Sequence, residues 1–475
     1  MPVLRTVIVV LACHAVSCQV FAEAAPALAD TERNTLVVAG EPYHRPSAYP
    51  DRIALTITAD PATSQTVNWR TRPGVEDARA QITAAAASPG LHLAARTIAA
   101  SSASVMAGNG LALHHHVIFS GLEPDTLYAY RVSGAGTWSE WLQFRTARAD
   151  AAEFAFLYFG DAQNSVKSHF SRVIREASSE LPRPALMLHA GDLVSQREHA
   201  NHDDEWGEWF EAGGFLHAMS PSLPVAGNHE YVDQVDEAGN EYYALPPAWR
   251  AHFRLPENGP PGLRDTVYAS RYQGVLFVAL DSTRALQDEA DARTQAAWLD
   301  ALLTENDRRW TIVSHHHPIF SVSMGRDNPI LREHWQPLYE KHGVDLVLQG
   351  HDHTYGRGSN LAEGSNLQHG TAGTVYLVSV AGAKMYRVSE SARADMARTG
   401  EDVQLYQLIR VGEDRIAVEA RTAAGELYDA FDLLRDESGG KRLVNRIPAG
   451  MPTSGCSNPA PPRPTRCWNG TELVH

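Results

Sequence analysis

Several apolar runs in this chain, each of strand length, end abruptly in a short polar motif, and this pattern constrains the fold more than any other feature. Phe154–Phe159 runs into Gly160-Asp161-Ala162-Gln163, and Ala185–Ala190 into Gly191-Asp192. Pro224–Ala226 leads to Gly227-Asn228-His229-Glu230, and Trp310–Val313 to Ser314-His315-His316-His317-Pro318. Val344–Leu348 ends in Gln349-Gly350-His351-Asp352-His353. Apolar runs of this length read as buried strands. The segments Val166–Glu180, Trp206–Met219 and Thr294–Asn306 between them are amphipathic and helix-length, so the region reads as α/β. Open α/β sheets bind ligands beyond the carboxyl ends of their strands, so the polar motifs can share one rim.

The preceding hundred residues have another rhythm. Arg52–Thr58 alternates apolar and polar residues, Asp60-Pro61 marks a turn, and Thr66–Thr71 reads as the next strand. Short strands separated by Gly and Pro turns from about Pro46 to Thr146 predict an all-β sandwich. Apolar segments at Thr374–Val380, Val403–Val411 and Arg415–Arg421 predict strands that complete the α/β domain. The expected divisions are a leader at 1–24, a sandwich at 40–148, a catalytic domain at 150–435 and a tail at 436–475. A length of 475 residues with 44% hydrophobic content supports this many units.

The leader expectation rests on Arg5, the apolar run from Val7 and the Ala22-Glu23-Ala24 cleavage pattern, which together predict a secreted or periplasmic protein. Val10-Leu11-Ala12-Cys13 leaves lipoprotein anchoring as an alternative. No transmembrane segment is expected, because the apolar run is too short to span a bilayer. Removal of the leader would leave Cys456 and Cys467, which in an exported chain predict a disulfide that pins the tail. A net charge of −15, from 56 acidic and 41 basic residues, argues against binding to a nucleic-acid scaffold or an anionic membrane. A cationic pocket stays compatible with it, since bound metal ions reverse the local field.

The polar motifs combine carboxylates, a carboxamide and imidazoles, which suit borderline metals rather than thiophilic ones. His351 and His353 are one residue apart, so an extended chain turns both to one side, where they can serve neighbouring ions. Two ions roughly 3.5–4 Å apart form a clamp for in-line displacement at phosphorus.

The ordered series Gly-Asp, Gly-Asp, Gly-Asn-His-Glu, His-x-Pro, Gly-His-x-His resembles the calcineurin-like metallophosphoesterases. The stretch Ser120–Val132 resembles a fibronectin type III core, and the combination is similar to the purple acid phosphatases. The resemblance implies an αββα catalytic sandwich with two metal ions, iron, zinc or manganese, acting on a small-molecule phosphate ester. It implies that Asp161 and His353 bind the first metal, that Asp192 bridges, and that Asn228, His316 and His351 complete the second. His316 takes the ligand role because it stands two residues before Pro318. His229 resembles the family histidine that contacts phosphate or protonates the leaving group.

Two positions depart from the pattern. Ser195 stands where purple acid phosphatases carry a ligand tyrosine, and Gln163 where broader relatives carry a histidine. Gln163 is accordingly a candidate neutral oxygen ligand or a hydrogen-bonding neighbour. Tyr355 and Arg357 are candidate substrate contacts. His315 and His317, and His199 and His202, are further candidates for the pocket. Trp206 and Trp209 are expected in the core, and His114-His115-His116 on the sandwich surface. The leading reading is a phosphomonoesterase. A phosphodiesterase or nucleotide hydrolase on the same site, and an exported binding protein with a degenerate catalytic domain, stay open beside it.

Overall fold

The computed structural model describes residues 43–470 apart from 76, 196, 198, 236–238, 240, 362–368 and 437–439, all within the unit Glu32–His475. For 199–201, 241, 359–361 and 369–372 it describes the backbone only. The expected leader and Val10–Cys13 lie outside the described residues. No described helix is long and apolar enough to cross a membrane.

The α/β region is built on two mixed sheets. In the first, Ser222–Pro224, Met187–His189 and Phe154–Phe159 run parallel. Phe154–Phe159 then pairs antiparallel with Leu405–Val411, which opens a meander through Arg415–Thr422, Leu427–Arg435 and Lys441–Asn445. In the second, Val275–Ala279, Trp310–Ser314, Leu346–Gln349 and His369–Val378 run parallel. Tyr268–Tyr272 closes one edge, and Tyr355–Leu361 with Arg398–Gly400 the other, all antiparallel. Every residue of Val275–Ala279 and Trp310–Ser314 is buried, as strands covered on both faces must be.

The two sheets face each other across one core, where Phe156, Tyr158 and Leu408 meet Phe277, Ile312 and Leu348. Helix Ser171–Glu180 covers the first sheet through Val173, Ile174 and Ala177. Helices Glu289–Thr304, Pro329–His334 and Gln336–His342 cover the second through Leu299, Leu331 and Tyr339. The layers are thus helix, sheet, sheet, helix. Helix boundaries differ from those expected for identifiable reasons. The Asp288 side chain accepts from the Ala290 N–H and starts its helix at Glu289, a turn earlier than predicted. The segment predicted as Trp206–Met219 is two helices, His199–Gly213 and Phe215–Met219, because Gly214 takes a positive φ of 52° between them. Trp206 and Trp209 lie in the core as expected.

The sandwich places Asp51–Thr56, Gln65–Thr71, Gly110–Phe119 and Ser101–Ala107 in one sheet. Arg96–Ala99, Arg79–Ala84, Leu127–Val132 and Leu142–Arg145 form the other. Trp69, Ile82, Phe119, Tyr130 and Phe144 fill the space between. Thr56 makes a parallel bridge to Ser222, so the sandwich continues the first catalytic sheet at its edge.

The expectation for His114-His115-His116 is corrected here. His114 and His115 are buried. His115 bonds Thr71 and Ser102, and His114 packs against His252 of the catalytic domain. Beside them Arg52 donates to Asp203 at 2.6 Å, Arg70 approaches it at 3.5 Å, and Asn109 donates to it at 2.9 Å. Burial alone would raise the Asp203 pKa, but Arg52 and Arg70 outweigh it and hold the carboxyl well below the usual range.

Replacing Asp203 with Ala leaves the buried Arg52 guanidinium without a carboxylate, while Arg70 keeps its two bonds to Asp51 at 2.9 and 2.8 Å, and denaturant titration should show a loss of about 3–5 kcal/mol. Burial also pushes His114 from 6.5 down to about 3 and His217 down to about 4, so both stay neutral in the fold while the unfolded chain takes up protons. Their contribution to stability is complete above the unfolded value and is lost as pH falls below it. The thermal midpoint should therefore fall steadily as pH is lowered from 7 to 4.

Candidate metal centre

The structure brings the strand-end motifs of both sheets to one buried rim. His316 Nε2, His351 Nδ1 and Asn228 Oδ1 meet there: the two nitrogens are 3.2 Å apart, and the oxygen is 3.2 and 3.0 Å from them. A second group joins Asp161, Asp192 and His353, whose donor atoms lie within 4.8 Å of one another. His353 Nε2 faces Asp161 Oδ2 at 3.3 Å. Asp192 Oδ2 lies 3.1 Å from His316 Nε2, so it stands between the two groups.

These atoms fit a pair of cations. Asp161 Oδ2 is buried with no hydrogen-bond partner. Burial raises Asp161 to about 7. Burial would lower His316, but Asp192 and Asp161 outweigh it and lift the ring to about 9. The pocket thus draws in positive charge. Burial holds His351 and His353 well below their usual range, which keeps them neutral as metal ligation requires. The remaining ring nitrogens fix orientation: His316 Nδ1 donates to the Ala190 carbonyl at 2.9 Å and His353 Nδ1 to that of Lys384 at 3.0 Å.

Local backbone geometry explains the glycines. A methyl on Gly227 would overlap Asp192 Oδ1, and one on Gly350 would overlap Asp161 Oδ1. Asp192, His351 and His353 hold left-handed φ angles of 50°, 71° and 49°. Such conformations cost of order 1–3 kcal/mol each and persist where surrounding bonds enforce them. At Asp192, Glu230 supplies that enforcement. Its carboxylate accepts from the N–H groups of Gly227 at 2.6 Å, Asp192 at 2.9 Å and Leu193 at 2.7 Å, tying two motifs together.

Residues 50–146 match the family model for the purple acid phosphatase N-terminal domain, and residues 154–355 match that for calcineurin-like phosphoesterases. The chain belongs to the purple acid phosphatase-type calcineurin-like phosphoesterases. An uncharacterized protein of Mycobacterium tuberculosis is 28% identical, over 56% of this chain and 57% of that protein. The Fe(3+)-Zn(2+) purple acid phosphatase 12 of Arabidopsis thaliana is 26% identical, over 52% of this chain and 53% of its own length. The chain thus spans about half the length of the curated relatives it matches. A purple acid phosphatase from yellow lupin seeds shares the fold with a TM-score of 0.66 at 18% identity, covering 82% of this chain and 75% of that one.

Within this purple acid phosphatase-type fold the remaining candidates separate clearly. His229 sits at the site: its N–H donates to Asp192 Oδ1 at 2.9 Å, its Nδ1 bonds the Ser195 carbonyl, and its Nε2 is 4.0 Å from Asp192 Oδ2. Gln163 lies across the centre, with Nε2 2.6 Å from Asp192 Oδ2 and 3.2 Å from His353 Nε2. Its Oε1 is buried without a hydrogen-bond partner. A half-turn of the amide exchanges the two atoms, so either can meet this position. Ser195 Oγ accepts from Asn164 Nδ2 at 2.8 Å.

Tyr355 and Arg357 are corrected. Both are fully buried on Asp429, the tyrosine donating at 2.7 Å and the guanidinium at 2.7 and 3.1 Å, so neither is placed to touch substrate. Tyr355 begins an antiparallel strand, paired on both sides, that leads away from the rim into the sheet, which is why proximity in sequence misled. His315 packs against Trp335 and Tyr339, and His202 against Trp206. The His199 side chain lies outside the described residues. His317 joins the group of His316 and His351: its ring is 4.0 Å from that of His351, and its Nδ1 contacts Ser282 Oγ at 3.0 Å. Three contributors had no assigned role in the sequence reading: Glu230, Lys384 and Tyr386. Glu230 was visible within its motif. The other two act through backbone and ring contacts that carry no sequence signature.

Replacing Glu230 with Ala strands three buried N–H groups, at about 1–3 kcal/mol each. Urea unfolding should show a loss of at least about 3 kcal/mol, together with weaker metal retention on dialysis.

Proposed function

We propose that this chain is an exported, metal-dependent phosphomonoesterase with a dinuclear centre. One observation carries the reading: two donor groups, Asp161/His353 and Asn228/His316/His351, flank Asp192 on one rim. Export is supported by the expected leader and by the Cys456–Cys467 disulfide, which persists in oxidising compartments. The relatives named as purple acid phosphatases support a phosphate ester as the substrate.

When bound, two cations would polarise the phosphoryl oxygens and acidify water. The chain's own residues do the rest. Asp161, Asp192 and Asn228 would hold the centre, with Asp161 oriented by the His351 N–H and Asp192 by the His229 N–H. The Ser195 carbonyl fixes a proton on His229 Nδ1, which leaves Nε2 directed toward the centre. In its charged form the ring gives the Nε2 proton to the departing alkoxide or phenoxide oxygen. Burial of the rim excludes bulk water and strengthens each charge interaction.

Asp192→Ala and His316→Ala should abolish hydrolysis of p-nitrophenyl phosphate with circular dichroism unchanged. His229→Ala should lower kcat roughly 100- to 10,000-fold. Turnover of bis-p-nitrophenyl phosphate above the monoester would overturn the monoesterase assignment. With Ser195 in the tyrosine position, the iron-loaded protein should lack a visible tyrosinate charge-transfer band. A purple sample would refute that.

A further inference from the structure

The carboxyl-terminal tail closes on the rim beside one of the two donor groups. Strand Arg466–Trp468 pairs antiparallel with Met385–Tyr386, and the Arg387 N–H donates to the Thr465 carbonyl at 2.9 Å. Cys467 is buried with Val380 and Met385, and its disulfide to Cys456 ties this strand to residues anchored on Glu401 and Asp402. The Met385–Tyr386 segment, in turn, grips His353 in three ways. The Tyr386 N–H donates to the His353 carbonyl at 3.1 Å, the Lys384 carbonyl accepts from His353 Nδ1 at 3.0 Å, and the Tyr386 ring lies 4.8 Å from the imidazole.

The tail reaches the other side of the same donor group as well. Ser165 Oγ donates to the Gly470 carbonyl at 2.7 Å, and Ser165 closes the loop that begins at Asp161 and carries Gln163. Gly470 sits so close that a methyl there would be 2.9 Å from both Asn164 Cβ and the Lys384 nitrogen. One tail therefore bridges the loop bearing Asp161 and the segment gripping His353. The ligands of the other group are bonded outside the tail: His316 bonds the Ala190 carbonyl, and the His351 carbonyl accepts from Arg326, which meets the clasp through ring contact alone, its guanidinium 4.6 Å from the Tyr386 ring.

We infer that the disulfide-closed tail is a clasp for one metal position only, that of Asp161 and His353, and that Tyr386 and Ser165 are its positioning residues. The inference rests on the dinuclear reading of the preceding section. Opening the clasp frees His353 to leave its left-handed backbone conformation, which is otherwise enforced by the Tyr386 and Lys384 bonds. The centre then passes from two retained ions toward one.

The test counts metal rather than turnover. The full chain is loaded with Mn(II) or Zn(II), dialysed, and assayed by elemental analysis. The oxidised wild type should retain about two equivalents, and the Cys456→Ser/Cys467→Ser double variant about one. Ser165→Ala, which leaves the disulfide intact, should loosen the same ion, shown as faster loss to a chelator in one of two kinetic phases. Asn228→Ala removes a ligand of the other position, so it should hold about one ion with the clasp closed and almost none with the cysteines replaced. Circular dichroism of the double variant should match the wild type. Two ions retained by the double variant would overturn the clasp, as would loss of both ions together with the fold. A wild type that binds no metal would instead overturn the dinuclear reading.

Discussion

Two carboxylates are buried side by side, Asp161 against His353 and Asp192 against His316, and the surroundings of the site are arranged to make that tolerable. Removing a carboxylate from water costs several kcal/mol unless charge and hydrogen bonds replace the lost hydration. The replacements come from backbone as much as from side chains. Asp161 Oδ1 accepts the His351 N–H at 2.6 Å, and Asp192 Oδ1 accepts the His229 N–H at 2.9 Å. Each donor belongs to the strand-end motif of another strand. The loops must therefore meet closely, which imposes the glycines, the left-handed ligands and the Glu230 brace. What is left over is one deficit of positive charge, shared between two donor groups.

Much of this was legible in the sequence because it depends on local order. A strand length, a glycine and a polar side chain recur in a fixed sequence, and each unit signals itself without knowledge of its neighbours. Asp161, Asp192, Asn228, His351 and His353 stand in such units, whereas His316 was selected from three consecutive histidines by the family pattern; the fold brings all six together. The layered architecture was legible for the same reason, since apolar runs such as Phe154–Phe159 and Val344–Leu348 admit few other readings. Features that depend on tertiary encounter were not legible. Tyr355 and Arg357 adjoin the last motif in sequence, yet the strand carries them inward to Asp429. The histidine run of the sandwich looked solvent-facing because nothing local announces that the strand Gly110–Phe119 is covered by a second domain. His317 was ambiguous for a similar reason: the alternation expected of an extended strand fails where the chain turns into Pro318.

The histidines show how one residue type serves opposite ends. At the rim, imidazoles face carboxylates and each other, and orientation is set by Ala190 and Lys384 carbonyls. In the interior, His189 stacks on Phe159, and His217 lies flat on Trp209 with ring centroids 3.9 Å apart. These are packing elements that happen to titrate. Their neutrality is a condition of the fold, whereas neutrality of His351 and His353 is a condition of ligation. A count of 22 histidines could not have separated the two populations; their neighbours do.

The bridge from Thr56 to Ser222 reaches further than one hydrogen-bonded contact implies. Without it, Ser222–Pro224 would be an open strand margin, a surface prone to pairing with other chains. The sandwich covers that margin, and only a few residues later the same strand delivers Asn228. Arg52, Arg70 and Asp203 lock the contact from the side. The sandwich is thus less an appended module than the outermost lamella of the catalytic layer. A recombination event that exchanged it for an unrelated domain would have to furnish a new strand in register, or leave the margin bare.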